Sequence, residues 1–192
     1  MLDLSTLARA RQACETRECW SPFPEMPTQY PDADLARAEG QARFEAHLGR
    51  PFVLMQPGII GAVGEEVSPY TQTPLGITYP RSDPDALFAA AEAAIPDWAS
   101  AGIDARLRVL MAALDAIYRP HLFEMVHAVM HTAGQSLNMA YAGSGVNALD
   151  RAIEALVYAE QAMRSIAPQA HWARRFGSSD ITLEKTYRLV PR

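Results

Sequence analysis

The stretch Ile181-Thr182-Leu183-Glu184-Lys185-Thr186-Tyr187-Arg188-Leu189-Val190, just ahead of the final Pro191-Arg192, decides how the rest of the chain is read. Ile181, Leu183, Tyr187 and Leu189 are apolar, Lys185 interrupts the row, and Thr182, Glu184, Thr186 and Arg188 are polar. A period of two residues sends alternate side chains to opposite faces of a β-strand, so one face is expected to be buried. A single strand cannot satisfy its own N–H and C=O groups and needs a neighbour. The reading expects an unpaired edge here, at the end of a linker-and-strand region spanning 169–192, and a larger protein that continues past Arg192.

Working back from the strand, residues 83–168 read as helical. Asp83 is a good N-cap with Pro84 at the first helical position, and Leu87, Ala91 and Ala94 form an apolar stripe. Pro96 is expected to break or kink that helix. The next helix, about 104–119, repeats Leu107, Leu110, Met111, Leu114 and Tyr118. Pro120 opens another, carrying Phe123, Val126 or His127, and Met130 on one face and ending near Gly134. The last runs from about Asn147 to Ser165, with Leu149, Ile153, Leu156 and Met163 inward, and Pro168 closes it. Amphipathic helices need something to lie against. They could pack on one another or cover a sheet, and the terminal strand favours the sheet.

Residues 1–82 form an irregular extension with two short helices, about 5–18 and 33–48. Pro22, Pro24 and Pro27 forbid regular structure between them. Gly49 and Pro51 stop the second helix, and 57–80 reads as loops and short strands. The fold class is thus mainly α with a few short strands.

The chain of 192 residues is 49% hydrophobic and 20% charged, an ordinary globular composition. Its net charge of −5 gives no electrostatic footprint for nucleic acid, and no apolar run approaches the roughly 20 residues that span a bilayer. No signal peptide is evident, and the two cysteines, Cys14 and Cys19, suit a reducing cytoplasm as free thiols.

Local motifs give little chemistry. Gly143-Ser144-Gly145-Val146-Asn147-Ala148 fits the G-x-G-x-x-A dinucleotide fingerprint, but what precedes it is helix-like, and the fingerprint needs a strand there. A helix–helix connector is the better reading. His127 and His131 sit one helical turn apart with Glu124 on the same face, spacing capable of holding a metal but without a clear further ligand. The Gln12-Ala13-Cys14 fragment and the Cys14/Cys19 spacing both fail on context. Trp20, Trp98 and Trp172 are expected to pack rather than stack on a cofactor.

Longer blocks carry a resemblance. Ala89-Ala90-Ala91-Glu92-Ala93-Ala94-Ile95-Pro96-Asp97-Trp98, Ala105-Arg106, Leu110 and His131-Thr132-Ala133-Gly134-Gln135 resemble the N-terminal helices of the aldehyde dehydrogenase superfamily. Cys19–Met26, Gly64–Tyr70, Leu75–Pro80, Ala128–Gln135, Asp150-Arg151, Glu154-Ala155, Leu183–Thr186 and Val190–Arg192 are similar to its PaaN-like branch, named for phenylacetic acid degradation. The resemblance implies the N-terminal helical segment of an α/β, Rossmann-like enzyme. It further implies NAD or NADP as cofactor in the full-length protein, a ring-opened CoA-thioester aldehyde of phenylacetate catabolism as substrate, and a homo-oligomer. In that family a cysteine thiolate attacks the aldehyde, an Asn and a backbone N–H hold the oxyanion, and a Glu activates water. No catalytic, cofactor-binding or metal residue of that set is placed in this chain. Gly134-Gln135-Ser136-Leu137 only echoes the Gly-Gln-x-Cys loop, with Leu137 where the nucleophile would be, and Lys185 precedes Thr186 rather than the Pro that follows the cofactor lysine. The chain alone is therefore expected to be inactive and to bind neither nucleotide tightly. The alternative is a stand-alone helical binding or oligomerisation module.

Overall fold

The computed structural model describes residues 1–189. Helix α1 (Leu4–Thr16) starts on Asp3, whose carboxylate accepts the backbone N–H groups of Ser5 and Thr6 at 2.9 and 3.1 Å, and it ends on Arg17 in the left-handed region. Helix α2 (Ala33–His47) follows the proline-rich segment. Strands β1 (Ile59–Val63) and β2 (Tyr79–Ser82) pair antiparallel with an irregularity near Gly61. Asp83 caps α3 (Pro84–Ser100) with its side chain, as the sequence implies, and α4 (Gly102–Ala116) comes next. Helices α5 (Leu122–Ala133), α6 (Leu137–Met139) and α7 (Asn147–Arg164) complete the helical part.

Two expectations about prolines change. Helix α3 runs through Pro96 to Ser100, so that proline does not end it. Pro120 does not open a helix; it lies inside a π-helical turn, Ile117–His121, that joins α4 to α5 without a loop. A proline has no N–H to give and its ring crowds the preceding turn, so widening the helix locally lets the chain pass with one ladder bond omitted.

The core is built by α1, α4, α5, α7 and a second π-helical run, Ala140–Val146. Leu7, Leu107, Met111, Leu122, Val126 and Val157 are among its largest fully buried side chains. Tyr141 is fully enclosed, and its hydroxyl donates to the Pro24 carbonyl at 3.1 Å, which ties the proline-rich segment to this core. Helix α7 buries Leu149, Ile153, Val157 and Glu160, while Leu156 and Met163 are only half-buried. A smaller cluster of Phe44, Leu75 and Ile77 packs with Phe52, Tyr79 and Ala128 between α2, α5 and the segment leading into β2. Helix α3 buries no residue completely, and its expected stripe at Leu87, Ala91 and Ala94 is exposed.

The terminal strand is not alone. Strand β4 (Ser179–Thr186) pairs antiparallel with β3 (Gln169–Phe176) in a hairpin that turns at Gly177, which has a φ of +60°. Residues read as a linker thus supply the missing neighbour. Tyr187, Arg188 and Leu189 lie beyond the strand, and Val190, Pro191 and Arg192 lie outside the described residues. The register sets Trp172 opposite Leu183 and Arg174 opposite Ile181, so Trp172, Phe176, Ile181 and Leu183 share one face. That face is sorted as expected but not buried: the four side chains are 40, 50, 40 and 47% exposed.

Candidate functional site

A groove of about 530 Å³ lies beside α2 and α5. Its floor comes from Phe44 on α2 and from Leu75 and Ile77 before β2, all buried. The walls are braced by backbone bonds: Gly49 N–H donates to Leu75 O at 2.9 Å, and Phe52 N–H to Thr78 O at 2.7 Å. Phe52 stands 5.2 Å from the His47 ring and 5.8 Å from the Tyr79 ring, centroid to centroid. The spacing of α2 against α5 depends on Gly40, where a side chain would collide with the α5 backbone at Phe123 and Glu124.

One end of the groove is polar. Glu124 on α5 engages His47 Nε2 through one carboxylate oxygen at 2.9 Å and His121 Nδ1 through the other at 2.7 Å. Burial pulls the Glu124 carboxyl upward, but hydrogen bonds and charge from His121 and His47 outweigh it and leave it below its ordinary range. An ionised carboxylate only accepts, so His47 Nε2 and His121 Nδ1 each carry a hydrogen toward it. The sequence reading placed Glu124 with His127 and His131; the structure instead gives it His47 and His121. His47 lies 77 residues away, and no short-range pattern could have found it.

His127 and His131 make no hydrogen bond to Glu124. His131 Nδ1 meets the buried Ser68 Oγ at 2.8 Å, and its ring stacks on Phe44 with centroids 5.0 Å apart. His127 is 5% exposed and its Nε2 has no partner in the protein. Burial drives its pKa down, with the charges of Arg37 and His131 acting in the same direction. Among the described residues no group of three or more His, Cys, Asp or Glu is placed to hold a metal ion.

Gly143–Ala148 does not form a phosphate cradle. Helix α6 and the Ala140–Val146 run precede α7 where the fingerprint requires a strand, and Gly145 is buried under Leu122 and Val126. The segment links two helices, as read, though through a widened helical turn. A dinucleotide therefore finds no fitting glycine loop here. Cys14 is half-buried and Cys19 exposed, both free. Cys14 lines a second cavity of about 530 Å³ with Trp20 and Tyr158; of its charged lining, Arg151 pairs with Glu154, and Glu18 pairs with Arg9 outside it at 2.7 Å. Trp20 packs on the core and under the Arg9 guanidinium, whereas Trp98 and Trp172 are exposed. No helix among the described residues is long and apolar enough to cross a membrane.

Comparison with solved structures finds a similar fold. The chain superposes on an NAD-dependent aldehyde dehydrogenase from Burkholderia multivorans with a TM-score of 0.89 and 43% sequence identity, over 98% of this chain and 34% of that one. The mainly helical fold described above is thus similar to that of part of this aldehyde dehydrogenase, and the likeness covers nearly every residue of the chain. The chain spans about a third of the length of that enzyme, which its name records as NAD-dependent. No protein-family model matches the chain, and no curated protein matches it.

Proposed function

We propose that this chain is the helical segment of an NAD(P)-dependent aldehyde dehydrogenase of the PaaN-like branch, serving phenylacetate breakdown by oxidising a ring-opened CoA-thioester aldehyde in the full-length enzyme. The observation that supports the aldehyde dehydrogenase part of the reading is the 43% identity over 98% of the chain to an NAD-dependent aldehyde dehydrogenase about three times as long. In such an enzyme a thiolate, an oxyanion-binding Asn and a Glu must converge on one carbon within hydrogen-bond distance. Neither Cys14 nor Cys19 stands beside such a set, so the segment's own contribution is structural. It supplies a packed helical layer and a hairpin whose Trp172/Leu183 face meets a second subunit in a cytoplasmic homo-oligomer, without membrane or nucleic-acid partners.

The genomic DNA beyond codon 192 tests this. The reading expects codons, in some frame, for an Asn-bearing segment and a Gly-Gln-x-Cys loop. An unrelated gene or a long non-coding stretch there would overturn it.

A second reading has its own support in the continuous core shared by α1, α4, α5 and α7. A chain with such a core can stand alone as a helical binding or assembly module. A monodisperse oligomer of the isolated chain that melts cooperatively would favour this alternative.

A further inference from the structure

Helix α3 has the sequence of an interior helix in an open position. Between Ala86 and Pro96 its residues are Ala, Leu, Phe, Ile and Pro, with Glu92 the one charge. A surface helix keeps an apolar stripe on one side and charge on the other, whereas a helix apolar all round belongs in an interior. Residues 87–94 of α3 are nonetheless all exposed, Phe88 by 69%.

Strand β1 adjoins the start of this helix. Asp83 N–H donates to Gly58 O at 2.8 Å, and a β-carbon built on Gly58 would stand 2.4 Å from the Ala86 Cβ. The strand itself, Ile59-Ile60-Gly61-Ala62-Val63, is uncharged and exposed along its whole length, Ile60 by 62%. A two-stranded sheet needs an apolar face packed on something to be stable, and both faces of β1 are open. Apolar side chains scattered singly on a surface are ordinary. These sit on two elements that touch, which marks an interaction site.

Charge and chain length decide what covers them. A helix that lies in a membrane interface carries Lys and Arg on its polar side, and α3 has neither. The similar enzyme of Burkholderia multivorans, by contrast, has about two-thirds of its chain outside the part that matches here. The TM-score of 0.89 means that the matching part keeps nearly this backbone, so the remaining protein has to rest on a surface that is open here. The facing sides of α1, α4, α5 and α7 are already filled by the core. Helix α3 and strand β1 are apolar and free.

We propose that α3 and β1 form the docking surface for the remaining two-thirds of an aldehyde dehydrogenase fold, with Phe88 and Ile60 entering its interior. This rests on the aldehyde dehydrogenase reading and adds the place of contact to it.

The test compares the whole 192-residue chain with a hybrid, the Burkholderia multivorans enzyme whose matching third is replaced by this chain. Ile60→Glu and Phe88→Glu are made in each, with Leu35→Glu, at a 61% exposed position on α2, as the reference. In the separate chain all three should shift the melting temperature by no more than about 2 °C, the usual range for surface positions. The parent hybrid should fold and reduce NAD. In it, Ile60→Glu and Phe88→Glu should lower the melting temperature by about 5 °C or more, because each buries a carboxylate without a partner, and Leu35→Glu should not. A hybrid that tolerates Ile60→Glu and Phe88→Glu as well as Leu35→Glu would overturn the proposal and leave the aldehyde dehydrogenase reading in place. So would a separate chain that self-associates and becomes monomeric with Phe88→Glu, because the cover would then be a second copy. A parent hybrid that fails to fold would instead remove the reading beneath the proposal, and the proposal with it.

Discussion

Gly40 on α2 lies so close to Phe123 on α5 that a β-carbon built on it would stand 2.4 Å from the Phe123 Cβ and 2.7 Å from its carbonyl carbon. The glycine sets the distance between the two helices, and with it the groove and the reach of His47 to Glu124.

Gly40→Ala is therefore expected to destabilise the chain. Alanine inside a helix gains about 1 kcal/mol over glycine, but overpacking a buried contact costs roughly 1–3 kcal/mol. Here the obstruction includes backbone atoms of Phe123 and Glu124, which cannot rotate aside, so the clash wins. Denaturant melts should show a lower midpoint with an unchanged slope. A midpoint equal to or above the parent's would mean that the α2–α5 contact is looser than described.

Acid should weaken the same contact through His127. Its folded-state pKa is depressed by burial, so the fold favours the neutral ring. The sign follows: this contribution is complete above the ordinary value of 6.5 and declines as pH falls below it, because the unfolded chain takes up the proton first. Glu124 acts lower down, since its depressed carboxyl contributes fully above the ordinary 4.5 and loses that contribution as pH falls through its folded value. Midpoints measured from pH 7.5 to 5 should fall in the parent and fall less in His127→Leu, which removes the unpartnered nitrogen. Parallel curves for the two proteins would rule out His127 as the source.

The hairpin offers a separation of assembly from folding. Ile181 and Leu183 are about half exposed on one face with Trp172 and Phe176. Replacing both by Lys should shift stability by no more than about 0.5 kcal/mol per site, the usual range for surface positions. Self-association, followed by sedimentation across a concentration series, should drop because edge and face charges oppose pairing. Association unchanged in the double variant would place the subunit contact elsewhere.

How far the sequence carried this account depends on range. Asp83-Pro84 and Gly134 mark their helix ends correctly because caps are encoded within a few residues, and Ala33–His47 was bounded by Gly49 for the same reason. Strand β3 was missed because Gln169-Ala170-His171-Trp172-Ala173-Arg174-Arg175-Phe176 has only weak apolar alternation, and its pairing comes from β4 rather than from its own pattern. The π-helical turns were also beyond local reading, since Pro120 signals a disturbed ladder but not how the chain absorbs it. The His47–Glu124–His121 end of the groove needs α2 docked on α5, and only the folded chain brings those residues together.

The central claim is that the reactive groups of the dehydrogenase lie outside this chain, and a nicotinamide reduction assay tests it most directly. Purified chain, incubated with NAD or NADP and a panel of aldehydes including a CoA-thioester aldehyde, should give no absorbance growth at the reduced-cofactor band above the protein-free rate. Steady turnover that scales with chain concentration, and that is lost on Cys14→Ser or Cys19→Ser, would contradict it.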